Sequence, residues 1–255
     1  MRHITVLATC TIAIIASQNA FSDELITGIN HTAFWAKVGF ELSDTSPANN
    51  GAGKNGEAFI LKVPGHRDAY GAIGIWKDIE TAKASCKNQF ASMAVAPKSG
   101  PLDFGDDAKD WMSRDQGGGC IIFRRSNVTI GVSWPSDRAS GLAFARGIDQ
   151  LLSGGHSSVT KGTFSTPPGI VGLPAQLELA KDMTETITVT FSGLGDAPPA
   201  VWIYSPGGLK HTISPDGTIK ITRTADNFAE RTVQIRAVSA TAVTAKAELL
   251  VKPKP

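Results

Sequence analysis

Short strand-like segments fill the last third of this sequence, and this rhythm constrains the fold more than any other feature. In residues 186–191, threonines alternate with Ile187, Val189 and Phe191, which is the two-residue period of a strand with one buried face. Similar segments, separated by turns rich in glycine and proline, follow or precede it at 174–180, 201–204, 218–222, 232–238 and 245–251. The pattern predicts an all-β unit of roughly seven strands over residues 170–255.

Roughly seven strands in about 85 residues is the size of a β-sandwich, and this segment resembles bacterial immunoglobulin-like or fibronectin-like domains. The resemblance rests on the strand rhythm and on Trp202, which would be the core tryptophan of the third strand. It covers only the last third of the chain, and the paired cysteines of antibody domains are missing from that part of the sequence. The resemblance implies a spacer, adhesion or docking module without catalytic residues.

Residues 23–152 mix the strand and helix periods. Two short apolar runs, 58–63 and 72–76, lie on either side of a turn that begins at Pro64, and both are predicted strands. After Asp78, apolar residues recur at helical spacing. They predict a helix whose buried face carries Ile79, Ala82, Cys86, Phe90 and Met93.

A hairpin and a second helix complete this segment. Apolar residues alternate through 120–134 on both sides of a tip at 125–127. Ser136 or Asp137 then caps a helix that Gly154 ends. We therefore predict an α+β domain in which an antiparallel sheet carries two helices on one face.

Glycine, serine and proline are concentrated in residues 153–169, a composition typical of a linker. Adding a leader at the start gives the predicted organisation in four parts. These are a signal peptide at 1–22, the α+β domain at 23–152, the linker at 153–169 and the Ig-like sandwich at 170–255.

The first 22 residues resemble a secretory signal peptide. Arg2 precedes an apolar run at 4–16 that is too short to cross a bilayer, and Ala20 and Ser22 have the spacing that a signal peptidase accepts. A lipoprotein signal with cleavage before Cys10 is the alternative. No later stretch is long and apolar enough to span a membrane, so we predict a periplasmic or secreted protein.

Removal of the leader leaves two cysteines, Cys86 and Cys120. In an oxidising compartment an even number favours a bond between them, so we predict a disulfide that ties the first helix to the hairpin. Two buried free thiols are the alternative if the protein is not exported. The sequence has no C-x-x-C pair, which disfavours a thiol oxidoreductase.

The charge distribution argues against one class of partner. The chain has 25 basic and 23 acidic residues, a net charge of +2, and no clustered basic stripe. Binding to the phosphates of nucleic acid requires such a stripe. The expected partner is therefore a protein or a glycan rather than nucleic acid.

Four aspartates within one short segment are the best candidate for a metal site. Their carboxylates supply the oxygen ligands that calcium prefers, and they are Asp103, Asp106, Asp107 and Asp110. The segment does not match an EF-hand loop and contains Lys109, so a solvated loop or a helix start is the favoured interpretation. No cofactor is predicted.

Four of the five tryptophans lie in the first domain. Flat aromatic rings can stack on sugars, so Trp35, Trp76 and Trp111 are candidate ligand-binding residues. The alternative, and the commoner role for tryptophan, is a place in the core. Trp134 continues the apolar face of the predicted hairpin and is predicted to be a core residue.

The sequence contains neither a G-x-S-x-G nucleophile motif nor a phosphate-binding P-loop. We therefore predict an exported, non-catalytic binding, adhesion or envelope-assembly protein, in which the α+β domain recognises a ligand and the Ig-like domain positions it. One alternative is a secreted or periplasmic hydrolase with a site assembled from His66, Asp68, Asp106 and Asp107. Another is adhesion through open edge strands of the Ig-like domain.

Overall fold

The computed structural model describes residues 24–39, 41–44, 58–62, 69–93, 96–98, 100–111, 118–134, 137–205, 207–214 and 216–254. Within these ranges, the first part of the chain forms β1 (Leu25–Ile29), α1 (His31–Lys37), β2 (Glu41–Asp44), β3 (Ala58–Lys62), β4 (Ala69–Ile75), α2 (Ile79–Ser92), β5 (Asp107–Asp110), β6 (Gly119–Arg125), β7 (Val128–Trp134), α3 (Arg138–Ser153) and β8 (Val159–Gly162). The predicted signal peptide, His66 and Asp68 lie outside the described residues.

Six of these strands form one antiparallel sheet, in the order β2-β3-β4-β7-β6-β5. The predicted hairpin is confirmed, because β6 and β7 pair along their whole length and a two-residue turn at Ser126 and Asn127 joins them. Asn127 is fully buried, and its Nδ2 donates to the carbonyl oxygens of Ile26 and Trp76 at 2.8 and 2.6 Å. This side chain therefore ties β1 and the end of β4 to the hairpin.

Helices cover both faces of this sheet, whereas the sequence predicted both helices on one face. Side chains alternate along β6, so Ile122 packs with Cys86 of α2, while Ile121 belongs to the core on the opposite face with residues of α1 and α3. Helical periodicity identifies the buried face of a helix but not the sheet face that receives it. The third helix, α1, was not predicted.

Both predicted helices begin at an aspartate cap, and Asp137 is one of the two caps that the sequence predicted for the second helix. Asp78 Oδ1 accepts a hydrogen bond from the Thr81 N–H at 2.6 Å, and Asp137 Oδ1 accepts one from the Ser140 N–H at 3.0 Å. Each carboxylate satisfies an amide that the first helical turn leaves without a partner. Within the described part of the chain, no helix combines the length and apolar character needed to cross a membrane.

The range predicted as a linker, 153–169, contains β8, which pairs antiparallel with β1. The backbone N–H of Asn30 also donates to the Ser158 carbonyl oxygen at 2.9 Å, and Val159 is buried. Only one residue of this short strand is both apolar and buried, so strand alternation is hard to recognise in the sequence. The segment after α3 therefore packs against the first strand of the chain.

The second part of the chain contains strands only, within the described residues. They are β9 (Gly169–Val171), β10 (Gln176–Leu179), β11 (Thr184–Thr188), β12 (Thr190–Ser192), β13 (Ala200–Tyr204), β14 (Leu209–Ile213), β15 (Thr218–Arg223), β16 (Arg231–Val238) and β17 (Thr244–Pro253). β14 was not predicted, because its sequence is mostly exposed and polar.

These strands form two main sheets, in the orders β10-β17-β16-β13 and β11-β15-β14, while β9 pairs with β12. β10 runs parallel to β17, and the other pairs are antiparallel. In an immunoglobulin-like sandwich the second, fifth and fourth strands share one sheet and the third, sixth and seventh share the other. Here β11, β15 and β14 correspond to the first set and β13, β16 and β17 to the second, while β10 joins the second sheet. A common apolar core lies between the sheets.

Trp202 does not occupy the core of this sandwich, so the expectation of a core tryptophan on the third strand was wrong. Ile203 is buried between the sheets and Val201 packs against the same core. Side chains alternate along a strand, so Trp202 faces the outer side of its sheet, where it is half-buried opposite Arg236 of β16. Aliphatic side chains fill the core positions of this strand instead.

The hairpin between β16 and β17 carries its tip into the core of the first part of the chain. Ala242 and Val243, at the tip, belong to the same buried cluster as Ile75 of β4. The Ile75 N–H donates to the Ala242 carbonyl oxygen at 2.9 Å, and the Ile29 N–H donates to the Thr241 carbonyl oxygen at 3.2 Å. Backbone hydrogen bonds and apolar packing therefore join the sandwich to the α+β part.

The tip has a conformation fixed by its own hydrogen bonds. Ser239 is buried, and its Oγ accepts from the backbone N–H groups of Thr241 and Val243 at 3.2 and 3.1 Å. Ala242 has a φ of 67°, in the left-handed region that residues other than glycine seldom adopt. The turn is thus held in one shape, which lets Val243 enter the neighbouring core.

Val243→Ala removes two methyl groups from this buried position, and we expect it to lower the free energy of unfolding by about 1–3 kcal/mol. Because the tip joins the two cores, we also expect one cooperative transition for the whole chain. Urea denaturation followed by tryptophan fluorescence and by circular dichroism measures both.

Val171→Ala is the matched control, because the same atoms are removed from a side chain that is 57% exposed. We expect it to change the free energy of unfolding by less than about 0.5 kcal/mol. Two separate transitions in the wild-type protein, or equal effects of the two substitutions, would contradict the shared core.

Candidate functional site

The three tryptophans predicted to bind ligand are buried. Trp35 and Trp76 are at most 1% exposed, and Trp111 is 7% exposed. Trp35 packs between Phe34 and Phe144, at ring-centroid distances of 5.1 and 6.2 Å. Rings enclosed in this way present no flat face to solvent for a sugar to stack on. Trp134 lies in the core as predicted.

The aspartates of the predicted metal site are paired with arginines. Asp106 accepts from Arg124 Nη1 at 2.8 Å, from Arg125 Nη1 at 2.7 Å and from the Ser126 N–H at 2.7 Å. Asp107 Oδ2 accepts from Arg124 Nε at 2.8 Å. Arg124 is almost buried, so these carboxylates balance a charge that would otherwise be costly in the interior.

The other two aspartates of this set have different arginine partners. Asp110 is fully buried and accepts from Arg138 Nε at 2.6 Å, whereas the exposed Asp103 accepts from Arg146. Asp107 and Asp110 are the ends of a strand, β5, where the sequence favoured a loop or a helix start. Among the described residues, no three acidic, histidine or cysteine side chains are grouped so that they could hold a metal ion.

Cys86 and Cys120 are free thiols, so the predicted disulfide is wrong. Both belong to a small apolar cluster formed by α2 and β6, but they occupy different positions along it. Cys86 packs with Ile122, whereas Cys120 Sγ lies 4.0 Å from the Sδ of Met93. Met93 follows the last residue of α2, about two turns or 10 Å beyond Cys86. Sharing a cluster therefore does not bring the two sulfur atoms together.

Burial raises the pKa of the Cys86 thiol to about 12, and the Asp107 carboxylate adds to the effect. Burial also raises the pKa of Cys120 to about 11, with a further contribution from Asp110. The thiolate is the reactive form of cysteine. Both sulfurs are therefore held as unreactive thiols at neutral pH.

We expect both cysteines to be alkylated when the full chain is denatured without a reducing agent, as shown by mass spectrometry of the peptides that contain them. In the folded protein at neutral pH, alkylation should be about a hundredfold slower than for a free cysteine at Cys120 and about a thousandfold slower at Cys86, because a higher pKa leaves less thiolate. The rate should rise as the pH approaches 11. Recovery of a peptide pair joined by a disulfide would contradict this.

A cleft of about 520 Å³ opens between α2 and the strands β16 and β17. Gln234, Arg236 and Lys246 form the strand side of the cleft. The helix side is a stripe of small polar residues at helical spacing, namely Thr81, Ser85, Asn88, Gln89 and Ser92. These walls belong to distant parts of the sequence, and the buried hairpin tip brings them together.

Trp76 also lines this cleft, and two other side chains contact its indole. Its Nε1 donates to Thr129 Oγ1 at 2.9 Å, and the Arg236 guanidinium lies over its ring, 5.5 Å from the centroid. A cation above an aromatic face is attracted by the electron-rich ring. The indole therefore positions Arg236 in the wall of the cleft.

Charged side chains also line the cleft. Among the described residues that line it, two are cations, Arg236 and Lys246, and none is acidic. Lys246 Nζ is 2.9 Å from Glu248 Oε1, but Glu248 lies outside the lining and its side chain is 53% exposed. Amides, hydroxyls and cations together suit a polar ligand.

A second cavity of about 510 Å³ lies beside the same hairpin tip. Its lining combines hydroxyl and apolar side chains such as Thr27, Phe164 and Val243, with Asp196 as its one carboxylate among the described residues. It offers no cation and no side-chain amide within that described lining. The cleft beside α2 is therefore the stronger candidate for a binding site.

This cleft is not recognisable in the sequence. The stripe of polar residues on α2 is visible in the sequence beside the apolar stripe, but an exposed helix face has the same composition. Arg236 and Lys246 belong to strands whose outer face is commonly polar. Only the packing of the hairpin tip makes these ordinary surfaces face each other.

The strand order is that of a sheet-rich protein with an Ig-like β-sandwich. No protein-family model matches this chain, and no curated protein matches it. Among solved structures, it is weakly similar to the twitchin kinase region from C. elegans and to a chimeric titin Z1Z2 tandem, both at 9% identity.

The twitchin similarity has a TM-score of 0.29 and covers 48% of this chain and 26% of that chain. The titin similarity has a TM-score of 0.26 and covers 78% of this chain and 89% of that chain. The chain therefore spans about a quarter of the twitchin region that it matches. The Ig-like assignment rests on the strand order described above.

Proposed function

We propose that this protein is an exported, non-catalytic binding protein whose ligand occupies the cleft between α2 and the strands β16 and β17. The observation that carries the proposal is the lining of this cleft, where polar side chains of α2 face Arg236 and Lys246 across about 520 Å³. That volume is within the usual range for a ligand site. Export rests on the sequence pattern of residues 1–22 alone, because the free thiols of Cys86 and Cys120 give it no support.

The junction of the two parts of the chain supports a binding role. The cleft walls are held relative to each other by the buried hairpin tip, through the Ile75–Ala242 and Ile29–Thr241 hydrogen bonds. A site with fixed walls loses little conformational entropy when it binds a ligand. The Ig-like part therefore both positions the α+β part and supplies one side of the site.

The described acids support binding over hydrolysis. In the hydrolase alternative, Asp106 and Asp107 would act together with His66 and Asp68. The carboxylate oxygens of Asp106 and Asp107 already accept hydrogen bonds from Arg124, and Asp106 also accepts from Arg125. These groups hold the β6–β7 hairpin in place instead of facing the cleft.

The test is retention of the purified full chain on immobilised peptidoglycan, envelope polysaccharide and envelope protein. Asn88 is exposed on the cleft side of α2. We expect Asn88→Trp to fill the cleft. Retention on the fraction that binds the wild-type protein should fall by about tenfold or more, which corresponds to about 1.4 kcal/mol of binding free energy.

Lys87→Trp is the matched control, because Lys87 is exposed on the same helix and lies outside the cleft lining. Both variants should melt at the wild-type temperature, since neither changes a buried side chain. Retention on no fraction at all, or equal retention of the Asn88→Trp and wild-type proteins, would overturn the proposed site.

A further inference from the structure

Strand β13 is an open edge of its sheet. In the order β10-β17-β16-β13 it pairs only with β16 among the described strands. Outside that pairing, no backbone hydrogen bond joins its residues to another described segment. In an antiparallel pair, alternate residues direct their N–H and C=O groups away from the neighbouring strand. Every second residue of β13 therefore presents unpaired backbone groups at this edge.

β13 differs from the other edge strands of the two main sheets in its lack of charge. Natural proteins usually protect an edge with charged side chains, because its unpaired backbone groups otherwise pair with another chain. The other three edges follow this rule, since β10 carries Glu178, β11 carries Glu185 and β14 carries Lys210. β13 has the sequence AVWIY, which contains no charged residue and favours a strand. Its edge is therefore open to pairing.

We propose that this edge pairs with the β13 edge of a second copy of the chain, antiparallel and centred on Trp202. A twofold contact of this kind is self-complementary. It places Trp202 of one copy opposite Trp202 of the other, Val201 opposite Ile203, and Ala200 opposite Tyr204. No position then brings a charge against an apolar side chain or against a like charge. The two four-stranded sheets become one continuous sheet.

The charges around β13 fit a second copy of the same chain. The sequence has no charged residue between Asp196 and Lys210, which lie exposed before and after the strand. In an antiparallel pair the start of one strand lies beside the end of the other, so the acid of one copy lies toward the base of its partner.

The outer face adds no close repulsion. Of the β16 residues that pair with β13, only Arg236 is charged, and it is opposite Trp202. Strands are spaced by about 4.8 Å, so the two copies of Arg236 lie about 14 Å apart. That exceeds the screening length of about 8 Å at physiological salt.

The antiparallel direction also keeps the two α+β parts apart. Ala200, at the start of β13, pairs with Val238 beside the hairpin tip that enters the α+β core, whereas Tyr204 pairs with Gln234 at the other end. The α+β part therefore lies at the Ala200 end of the strand. A parallel pair would bring both α+β parts to one end, whereas the antiparallel pair places them at opposite ends.

The dimer gives the proposed function, on which this step rests, two clefts on one side. Directly paired side chains point to the same face of a sheet, so the outer faces of the two copies coincide. Five strand spacings, or about 24 Å, separate β17 of one copy from β17 of the other. A polymeric or surface-bound ligand can then occupy both clefts at once, which strengthens retention.

The first experiment is sedimentation velocity of the purified full chain from about 1 to about 500 µM. We expect a reversible dimer with a dissociation constant on the order of 10 µM, because a strand-edge contact is small. Trp202→Lys and Trp202→Glu each place like charges directly opposite one another, and each should weaken the dimer by about tenfold or more. An equimolar mixture of the two variants should form dimers again, because lysine then faces glutamate.

Thr186→Lys and Thr186→Glu are the matched controls. Thr186 is exposed at the middle of β11, which is an edge strand of the other sheet. The same charges at this edge should leave the dissociation constant unchanged. Circular dichroism and the melting temperature show whether each of the four variants is folded.

Hydrogen exchange of the wild-type protein separates edge pairing from stacking of the outer faces, and it needs no variant. At a concentration where about nine tenths of the chains are dimers, alternate amides of β13 should exchange about tenfold more slowly than in the monomer. Amides at the edges β10, β11 and β14 should not change.

Four results would overturn the inference. They are a monomer at every concentration, equal effects of the Trp202 and Thr186 substitutions, a mixture of folded Trp202 variants that stays monomeric, and a dimer without slower exchange in β13. If a monomeric chain shows slower β13 exchange only when envelope protein is added, the edge binds a foreign strand and self-pairing is wrong. These results are independent of the proposed cleft, which fails only if Asn88→Trp leaves retention unchanged.

Discussion

The buried tip of the β16–β17 hairpin is the interaction on which the rest of the structure depends. A hairpin tip in a β-sandwich normally lies in solvent, where its backbone groups are hydrated. Here Val243 and Ala242 are enclosed by the core of the α+β part. The carbonyl oxygens of Thr241 and Ala242 accept hydrogen bonds from the N–H groups of Ile29 and Ile75. This contact sets the face that the sandwich presents to α2, and the cleft is a consequence of it.

The two charged regions of the molecule have different roles because their charges are satisfied differently. Around the β6–β7 hairpin, Arg125 donates to both oxygens of the buried Asp149, at 2.7 and 2.6 Å, and Arg124 is paired with Asp106 and Asp107. Such pairs stabilise a fold because leaving one partner alone in the interior is costly. In the wall of the cleft, by contrast, Lys246 is paired with Glu248, whose side chain is 53% exposed, and Arg236 lies over the Trp76 ring.

Local features of the fold were predictable from the sequence, and contacts between distant segments were not. The apolar spacing of α2 identifies that helix, and alternation identifies the β6–β7 hairpin. Periodicity does not reveal how α2 is aligned along β6, and this alignment keeps Cys86 from Cys120. The arginine partners of the aspartates and the two walls of the cleft likewise come from separate segments.

Hydrogen exchange of the Ile29 and Ile75 amides tests the shared core most directly, because these two groups donate to the carbonyl oxygens of Thr241 and Ala242. If the hairpin tip is part of one core, both amides exchange only through global unfolding, with the same opening free energy as the core amides of Ile121 and Ile235. Rapid exchange at Ile29 and Ile75, with Ile121 and Ile235 still protected, would show that the two parts separate in solution and would contradict the shared core.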